Sequence, residues 1–340
     1  MNIKKAIGKV VDHKSLTEKE MKLVFGEIMT GKATPAQIGS FITALRMKGE
    51  TVEEITGAAK VMREKSIKVK VSPAGTTVLD TCGTGGAKAK TFNISTTVAF
   101  VLASLGVKVA KHGNRAVSSH CGSADVLEEL GVRIKRSVRV TERCINHINV
   151  GFLFAPLYHE AMRYAVGPRR ETGIRTIFNI LGPLSNPAQA KCQLLGVYDE
   201  SLTEIMARVL KNLGSKKAYV VHGAGDIDEV SIAGKTRVSE LSGGKIRTYD
   251  IFPGYFGIKR GSLASIKGGT VKQNAKMIKD VLSGKKGPAR DIVLMNASMA
   301  LMVAGEVKNF KQGMRLAAEA IDLGKAKAKL EDLVRETNSH

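Results

Sequence analysis

The stretch from Thr76 to Gly106, "TTVLDTCGTGGAKAKTFNISTTVAFVLASLG", predicts a strand, a loop and a helix in that order. The apolar run "TTVLD" is short enough for a buried strand, and "STTVAFVLASLG" is long enough for a helix that ends at a glycine. A strand, a glycine-rich loop and a helix are the repeating unit of parallel sheets covered by helices.

The same order recurs further along the chain. "VKVA" precedes the helical "SADVLEELG", and "QLLGVYD" precedes "SLTEIMARVLKNLG" and "AYVVHG". Repeated units of this kind favour an α/β fold with a mostly parallel central sheet wrapped by helices.

The N-terminal part differs, because residues 1–72 show helical periods, such as the helix capped at Thr51, without a convincing strand. We therefore predict a small all-helical domain at 1–72, joined by part of 160–185, and a larger α/β domain at 73–340. The segment 167–187 is rich in glycine and proline, which favours a connection or hinge between the two.

The composition is that of a globular protein, with 43% apolar and 25% charged residues among 340. The 53 basic and 31 acidic side chains leave a net charge of +22, which favours anionic partners. The basic residues are scattered, and the absence of tryptophan with only 5% aromatic residues leaves few platforms for base stacking. These features argue against nucleic acid as a partner, although the charge does not exclude it.

Cysteine usage and hydropathy favour a cytoplasmic protein. The four cysteines are widely separated and form no C-x-x-C pair. The N-terminal segment lacks the apolar core of a signal peptide, and no apolar run approaches the roughly 18 residues of a membrane span.

The loop after "TTVLD" has the composition of a phosphate site. Gly83, Gly85 and Gly86 can bring backbone N–H groups close to an anion, and Asn93, Ser95 and Thr96 follow at the start of a helix. The loop matches neither the P-loop nor the dinucleotide pattern, so a tight turn followed by a helix cap stays an alternative.

Two further loops follow predicted strands, and the loops of a parallel sheet share one rim. The segment Lys111–Asp125, "KHGNRAVSSHCGSAD", mixes cations and hydroxyls that suit phosphate oxygens, unless it is only a solvated polar loop. Asp228 and Glu229 in "HGAGDIDEVS" could hold a Mg²⁺ that bridges a polyphosphate, whereas an isolated Asp-Glu pair is usually solvated surface.

Some reactive residue types have simpler explanations. His159 could line a pocket or be a satisfied core residue, and Arg169 with Arg170 could clamp a carboxylate or form an ordinary surface pair. Cys82 and Cys121 lie in ligand loops without a clear base partner, so we interpret them as small filling residues rather than nucleophiles.

Together these residues resemble the anthranilate phosphoribosyltransferase family of tryptophan biosynthesis, over nearly the whole chain. The matching segments are "TPAQIGSFITALRMKGET", "DTCGTGG", "TFNIST", "KHGNRAVSS", "GSADVLEELG", "GIRTIFNILGPLSNP" and "IDEVS". The resemblance implies the fold of nucleoside phosphorylases and phosphoribosyltransferases, a homodimer, and a transferase that uses 5-phosphoribosyl 1-diphosphate (PRPP), Mg²⁺ and anthranilate.

The resemblance also implies roles for individual residues. The PRPP-binding residues would be Gly83, Gly86, Ala87, Thr91, Asn93, Ile94, Ser95, Thr96, Lys111, His112, Gly113, Asn114, Arg115, Ala116, Val117, Ser118, Ser119 and Ser123. The anthranilate-binding residues would be Gly83, Asn114, Arg169, His112, Pro156 and His159, with Ala155 beside the last two. The metal ligands would be Ser95, Asp228 and Glu229, and no residue would act as a covalent nucleophile.

One position departs from the family pattern, since Ala87 stands where the family's first loop, "GTGGD", has an aspartate. Its absence puts metal handling, PRPP affinity or turnover in doubt, unless Lys88, Lys90 or the Asp228 and Glu229 pair compensates. The alternatives are an enzyme similar to pyrimidine nucleoside phosphorylases, or a catalytically impaired relative that binds nucleic acid.

Overall fold

The structure is a computed structural model and describes residues 1–73, 76–86, 89–116 and 121–339. The chain begins with four helices, α1 (Ile3–Val11), α2 (Glu18–Met29), α3 (Pro35–Lys48) and α4 (Val52–Lys65). Helix α1 is not among the predicted helices. The Asn2 side chain caps it by accepting from the Lys5 N–H, and Ile3, Ala6 and Val10 are buried at helical spacing.

A buried ion pair stabilises the N-terminal helices. The Glu54 side chain is fully buried and accepts from Lys48 Nζ at 2.9 Å, from the Leu16 N–H at 2.8 Å and from the Thr51 N–H at 2.8 Å. Glu54 therefore joins the start of α4 to the end of α3 and to the segment before α2.

A seven-stranded sheet follows, in the spatial order β3-β2-β1-β4-β5-β6-β7. The strands are β1 (Val78–Gly83), β2 (Lys108–Gly113), β3 (Val150–Phe154), β4 (Cys192–Gly196), β5 (Lys217–Gly223), β6 (Thr236–Ser242) and β7 (Lys245–Ile251). The first five in chain order pair in parallel, and β6 and β7 add an antiparallel edge. The predicted α/β fold with a mostly parallel sheet beside an N-terminal helical domain is confirmed.

The remaining helices pack on both faces of the sheet. They are α5 (Ile94–Ser104), α6 (Ser123–Glu129), α7 (Val138–Ile148), α8 (Ala155–Tyr158), α9 (Arg163–Thr172), α10 (Phe178–Leu184), α11 (Leu202–Asn212), α12 (Val271–Leu282), α13 (Pro288–Ala304), α14 (Phe310–Asp322) and α15 (Lys325–Asn338). Neighbouring β4 residues alternate between the faces, since Leu194 packs with α5 and α13 and Leu195 packs with the N-terminal helices. Within the described ranges, no helix is long and apolar enough to cross a bilayer.

The glycine- and proline-rich segment 167–187 is largely helical. Helix α9 packs against α2 and α3, and α10 packs against α4, although Pro168 and Pro183 lie inside these two helices. Ala165 and Phe178 are buried in the same core cluster as the N-terminal helices. This burial outweighs the local cost of a proline within a helix.

Candidate active site

The three predicted loops meet at the carboxyl ends of the parallel strands. Strand β1 lies between β2 and β4, and β1, β2, β4 and β5 all end in glycine. A Cβ on Gly83 would overlap the Asp228 carboxylate, and a Cβ on Gly196 would overlap the Asp228 backbone carbonyl. The absence of side chains at these glycines lets the segment around Asp228 fold directly onto the ends of β1 and β4.

The acidic pair is tied to the first loop by backbone donors. Asp228 Oδ2 accepts from the Gly85 N–H at 2.9 Å, and Glu229 Oε1 accepts from the Ser95 N–H at 3.1 Å. The Asp228 carboxylate therefore lies at the glycine loop and the Glu229 carboxylate at the N-terminus of α5. More than 130 residues of sequence separate each carboxylate from its donor.

Lys111 connects the second loop to the same place. Its side chain is buried, and Nζ donates to the Thr81 carbonyl at 2.6 Å and to Ser95 Oγ at 3.2 Å. Burial lowers the pKa of Lys111, and the buried carboxylate of Asp80 and that of Glu229 oppose this shift. A cation, a hydroxyl and the Glu229 carboxylate thus lie within one hydrogen-bonded group, and Asp228 is bonded to the same loop at Gly85.

The acidic pair fits a hard divalent cation. Burial raises the pKa of Glu229, and the neighbouring Asp228 raises it further, so a bound cation would relieve an unfavourable concentration of negative charge. The Ser95 hydroxyl adds a third oxygen, and oxygen donors are what Mg²⁺ prefers. No group of three or more His, Cys, Asp or Glu in the described part of the chain is arranged for a metal. Substrate oxygens and water would therefore complete the shell.

Arg169 is a half-buried cation on α9. Its guanidinium lies over the Phe178 ring, 5.2 Å from the centroid, and burial lowers its pKa. Within the ranges that the structure covers, no carboxylate pairs with Arg169. The adjacent Arg170 is exposed. Arg169 therefore offers an unused fork of donors to an anionic group.

Two buried histidines lie against each other. The rings of His112 and His159 are 5.0 Å apart, and His112 Nδ1 is 3.1 Å from the Gly182 carbonyl oxygen on α10. Burial lowers the pKa of His112 to about 3 and that of His159 to about 4, so both rings are neutral at pH 7. Each Nε2 is buried without a partner in the described chain, which leaves hydrogen-bonding capacity for a ligand. Pro156 lies just before His159, in α8.

Several predicted PRPP residues are already engaged within the protein. Arg115 pairs with Asp125 at 2.9 Å and with Glu128 at 2.6 Å, and its N–H donates to Asn114 Oδ1 at 2.8 Å. Ser123 Oγ donates to the Asn114 carbonyl at 3.4 Å. These contacts order Gly113, Asn114, Arg115, Ala116 and Ser123 beside the start of α6.

Other predicted residues can contribute only through the backbone. The side chains of Ile94 and Thr96 are buried in the core, so their N–H groups at the start of α5 are what could face an anion. Thr91 forms a backbone bridge with Lys267. Four predicted PRPP residues lie outside the described residues, namely Ala87, Val117, Ser118 and Ser119.

The structure adds residues that were not predicted. Arg175 donates from Nη2 to the Gly86 carbonyl and stacks over the Tyr198 ring at 4.5 Å. The buried Asn296 amide donates to the Val230 carbonyl at 3.0 Å and accepts from the Val230 N–H at 2.9 Å, immediately after the acidic pair. No sequence pattern identifies either residue, because 89 and 66 positions separate them from their partners.

Comparisons with known proteins agree with this geometry. The α/β-domain model of a glycosyl transferase family matches residues 75–327, and its helical-bundle model matches residues 4–66. Anthranilate phosphoribosyltransferase of Geotalea uraniireducens is 56% identical, with 99% of each chain covered.

Solved structures give the same result. The enzyme of that name from Thermus thermophilus superimposes with a TM-score of 0.92 at 38% identity, covering 98% of this chain and 99% of the other. The Saccharomyces cerevisiae enzyme in complex with PRPP and Mg gives 0.91 at 29% identity, covering 99% and 98%. These matches do not favour a nucleoside phosphorylase. The chain therefore belongs to the anthranilate phosphoribosyltransferase family.

Proposed function

We propose that the protein transfers the phosphoribosyl group of PRPP to the amine of anthranilate, which yields N-(5-phosphoribosyl)anthranilate and pyrophosphate. The observation that carries this proposal is the arrangement at the glycine loop, where Lys111 and Glu229 both hydrogen-bond with Ser95 and Asp228 hydrogen-bonds with Gly85. Helix α10 links this arrangement to the acceptor side, because it contacts His112 through Gly182 and Arg169 through Phe178.

The loops would hold the leaving group. Lys111, Ser95 and the backbone N–H groups at the start of α5 would donate to phosphate oxygens, and Gly83 and Gly86 would let the backbone approach them. Mg²⁺, held by Ser95 with the two carboxylates, would neutralise charge on the departing pyrophosphate.

The reaction needs positioning and charge stabilisation rather than a nucleophilic side chain. The bond from C1 of the ribose to the pyrophosphate oxygen breaks, the amine nitrogen bonds to C1, and the amine gives up one proton. Burial raises the thiol pKa of Cys82 and of Cys121, which disfavours either as a nucleophile. Donors fixed in the folded protein would stabilise the cationic transition state without reorganising.

Anthranilate would be bound by a charged group and by the residues that line its entrance. The guanidinium of Arg169 would pair with the substrate carboxylate, and Asn114 would orient the amine. His112, Pro156 and His159 would line the entrance. Because both histidines are neutral at pH 7, neither competes with Arg169 for the carboxylate.

A fluorescence assay tests the proposal. Purified protein is mixed with PRPP, Mg²⁺ and anthranilate, and the loss of anthranilate fluorescence is followed, with EDTA as the control. We expect turnover that EDTA abolishes. An Ala87→Asp variant restores the family's acid, and we expect it to lower the Mg²⁺ concentration needed for half-maximal rate. No loss above background in the wild type, with an active Ala87→Asp variant, would overturn the claim that the chain is competent as it stands.

We also propose a cytoplasmic homodimer with a helical domain at 1–72, joined by part of 160–185, and an α/β domain at 73–340. The family resemblance supports the dimer, and the burial of all four cysteines suits a reducing compartment. The charge of +22 suits anionic PRPP, and no nucleic acid partner is proposed. Sedimentation equilibrium, with a monomer mass of 36.4 kDa, would test the dimer.

A further inference from the structure

A late segment of the chain lies directly against the first loop. Residues 266–268 run beside residues 90–92, with the Phe92 N–H donating to the Ile266 carbonyl at 3.2 Å and the Gly268 N–H to the Lys90 carbonyl at 2.9 Å. A Cβ on Gly268 would lie only 2.7 Å from the Thr91 carbonyl oxygen. The end of the first loop is therefore supported by backbone from residues just before α12.

Asn274, in the first turn of α12, extends this support to a side chain of the site. It is 2% exposed, its Oδ1 accepts from the Gly269 N–H at 2.9 Å, and its Nδ2 donates to Asn93 Oδ1 at 3.1 Å. Because an amide has one accepting and one donating end, these two contacts determine its orientation.

Asn93 connects Asn274 to the second loop. It occupies the N-cap position of α5, yet its side chain makes no cap hydrogen bond. Instead Nδ2 donates to the Cys121 carbonyl at 3.3 Å. Cys121 Sγ also donates to Asn93 Oδ1 at 3.5 Å, so both ends of the Asn93 amide contact Cys121, and Asn274 holds the oxygen end from α12. The two amides thus form a chain from α12, through the end of the first loop, to the far end of the second.

We propose that Asn274 is a positioning residue for PRPP, which acts through Asn93 to set the spacing between the two phosphate loops. Asn274 is buried, and in this proposal it does not contact the substrate. The inference rests on the proposed function, in which these loops hold PRPP. It assigns a role in substrate binding to a helix more than 140 residues beyond the second loop.

The decisive variant is Asn274→Asp. Its carboxylate still accepts from the Gly269 N–H, but it cannot donate to Asn93 Oδ1. The Asn93 amide then either loses its partner on α12 or turns over and presents oxygen to the Cys121 carbonyl. We expect the KM for PRPP to rise about tenfold, the factor that 1.4 kcal/mol produces. The KM for anthranilate should rise less than the KM for PRPP, because Arg169, which is proposed to bind the substrate carboxylate, lies on α9 and on neither loop.

Two further variants separate positioning from a general loss of structure. Asn309→Asp introduces the same change at the N-cap of α14, where Asn309 accepts from the Gln312 N–H at 2.9 Å, and should leave both KM values unchanged. If Asn274 acts through Asn93, the double variant Asn93→Ala with Asn274→Asp should bind PRPP no more weakly than Asn93→Ala alone.

The readouts are both KM values and the Kd for PRPP with Mg²⁺, measured by calorimetry without anthranilate. Unchanged PRPP affinity in Asn274→Asp, an equal rise of both KM values, or additive losses in the double variant would each overturn the inference. Wild-type protein that binds PRPP without turnover would refute the proposed function, while the Kd comparison would still decide the role of Asn274. Wild-type protein that binds no PRPP would refute both.

Discussion

Replacing Arg169 with alanine removes the group proposed to bind the anthranilate carboxylate. The guanidinium is half-buried over Phe178, and no carboxylate in the described chain pairs with it. Its removal therefore strands no buried acid, and the folded state loses chiefly a cation–π contact of about 1 kcal/mol. The main effect of the substitution should therefore be weaker binding of anthranilate. A hydrogen bond to a charged group contributes about 1.5–3 kcal/mol, which corresponds to a rise of about 10- to 150-fold in the KM for anthranilate.

Steady-state kinetics by anthranilate fluorescence would measure this effect, with PRPP saturating. The KM for PRPP should not change, because in the proposed site the two phosphate loops hold PRPP and Arg169 lies on α9. Arg170→Ala, at the exposed neighbouring position, is the matched control and should behave like the wild type. Arg169→Lys keeps the charge but cannot donate two parallel hydrogen bonds, so its KM for anthranilate should lie between those of the wild type and Arg169→Ala. A KM for anthranilate in Arg169→Ala equal to that of the wild type would refute the assignment.

Two other variants test packing that supports the fold and the site. Glu54→Ala leaves the buried Lys48 and two backbone donors without their acceptor, so the free energy of unfolding in urea should fall by about 3–5 kcal/mol; a loss no larger than that of the exposed Glu53→Ala would contradict this reasoning. Gly196→Ala places a Cβ on the backbone carbonyl of Asp228, so we expect a higher Mg²⁺ requirement and a kcat/KM at least about tenfold lower. Wild-type values for both quantities would show that this close approach is unimportant.

Much of this protein was predictable from short-range patterns. Strand-loop-helix units predict the parallel sheet, and the position of a loop after a strand predicts which loops share the rim. Lys111, Ser95, Asp228 and Glu229 were therefore expected together. In the structure Lys111 and Glu229 both hydrogen-bond with Ser95, and Asp228 hydrogen-bonds with Gly85 of the same loop. Helix α1 was missed because it is short and its apolar residues alternate with lysines.

What the sequence by itself determined was the strand-loop-helix order of the α/β domain, the loops that are proposed to hold PRPP, and the family. Only the tertiary structure decided which side chains support those loops. Asn274 reaches Asn93 across 181 positions, and Arg175 reaches Gly86 across 89. It also decided that Arg115 pairs with two carboxylates, whereas no carboxylate among the described residues pairs with Arg169. Periodicity and capping report interactions within a few residues, whereas these contacts form only when the chain packs, so no local pattern encodes them.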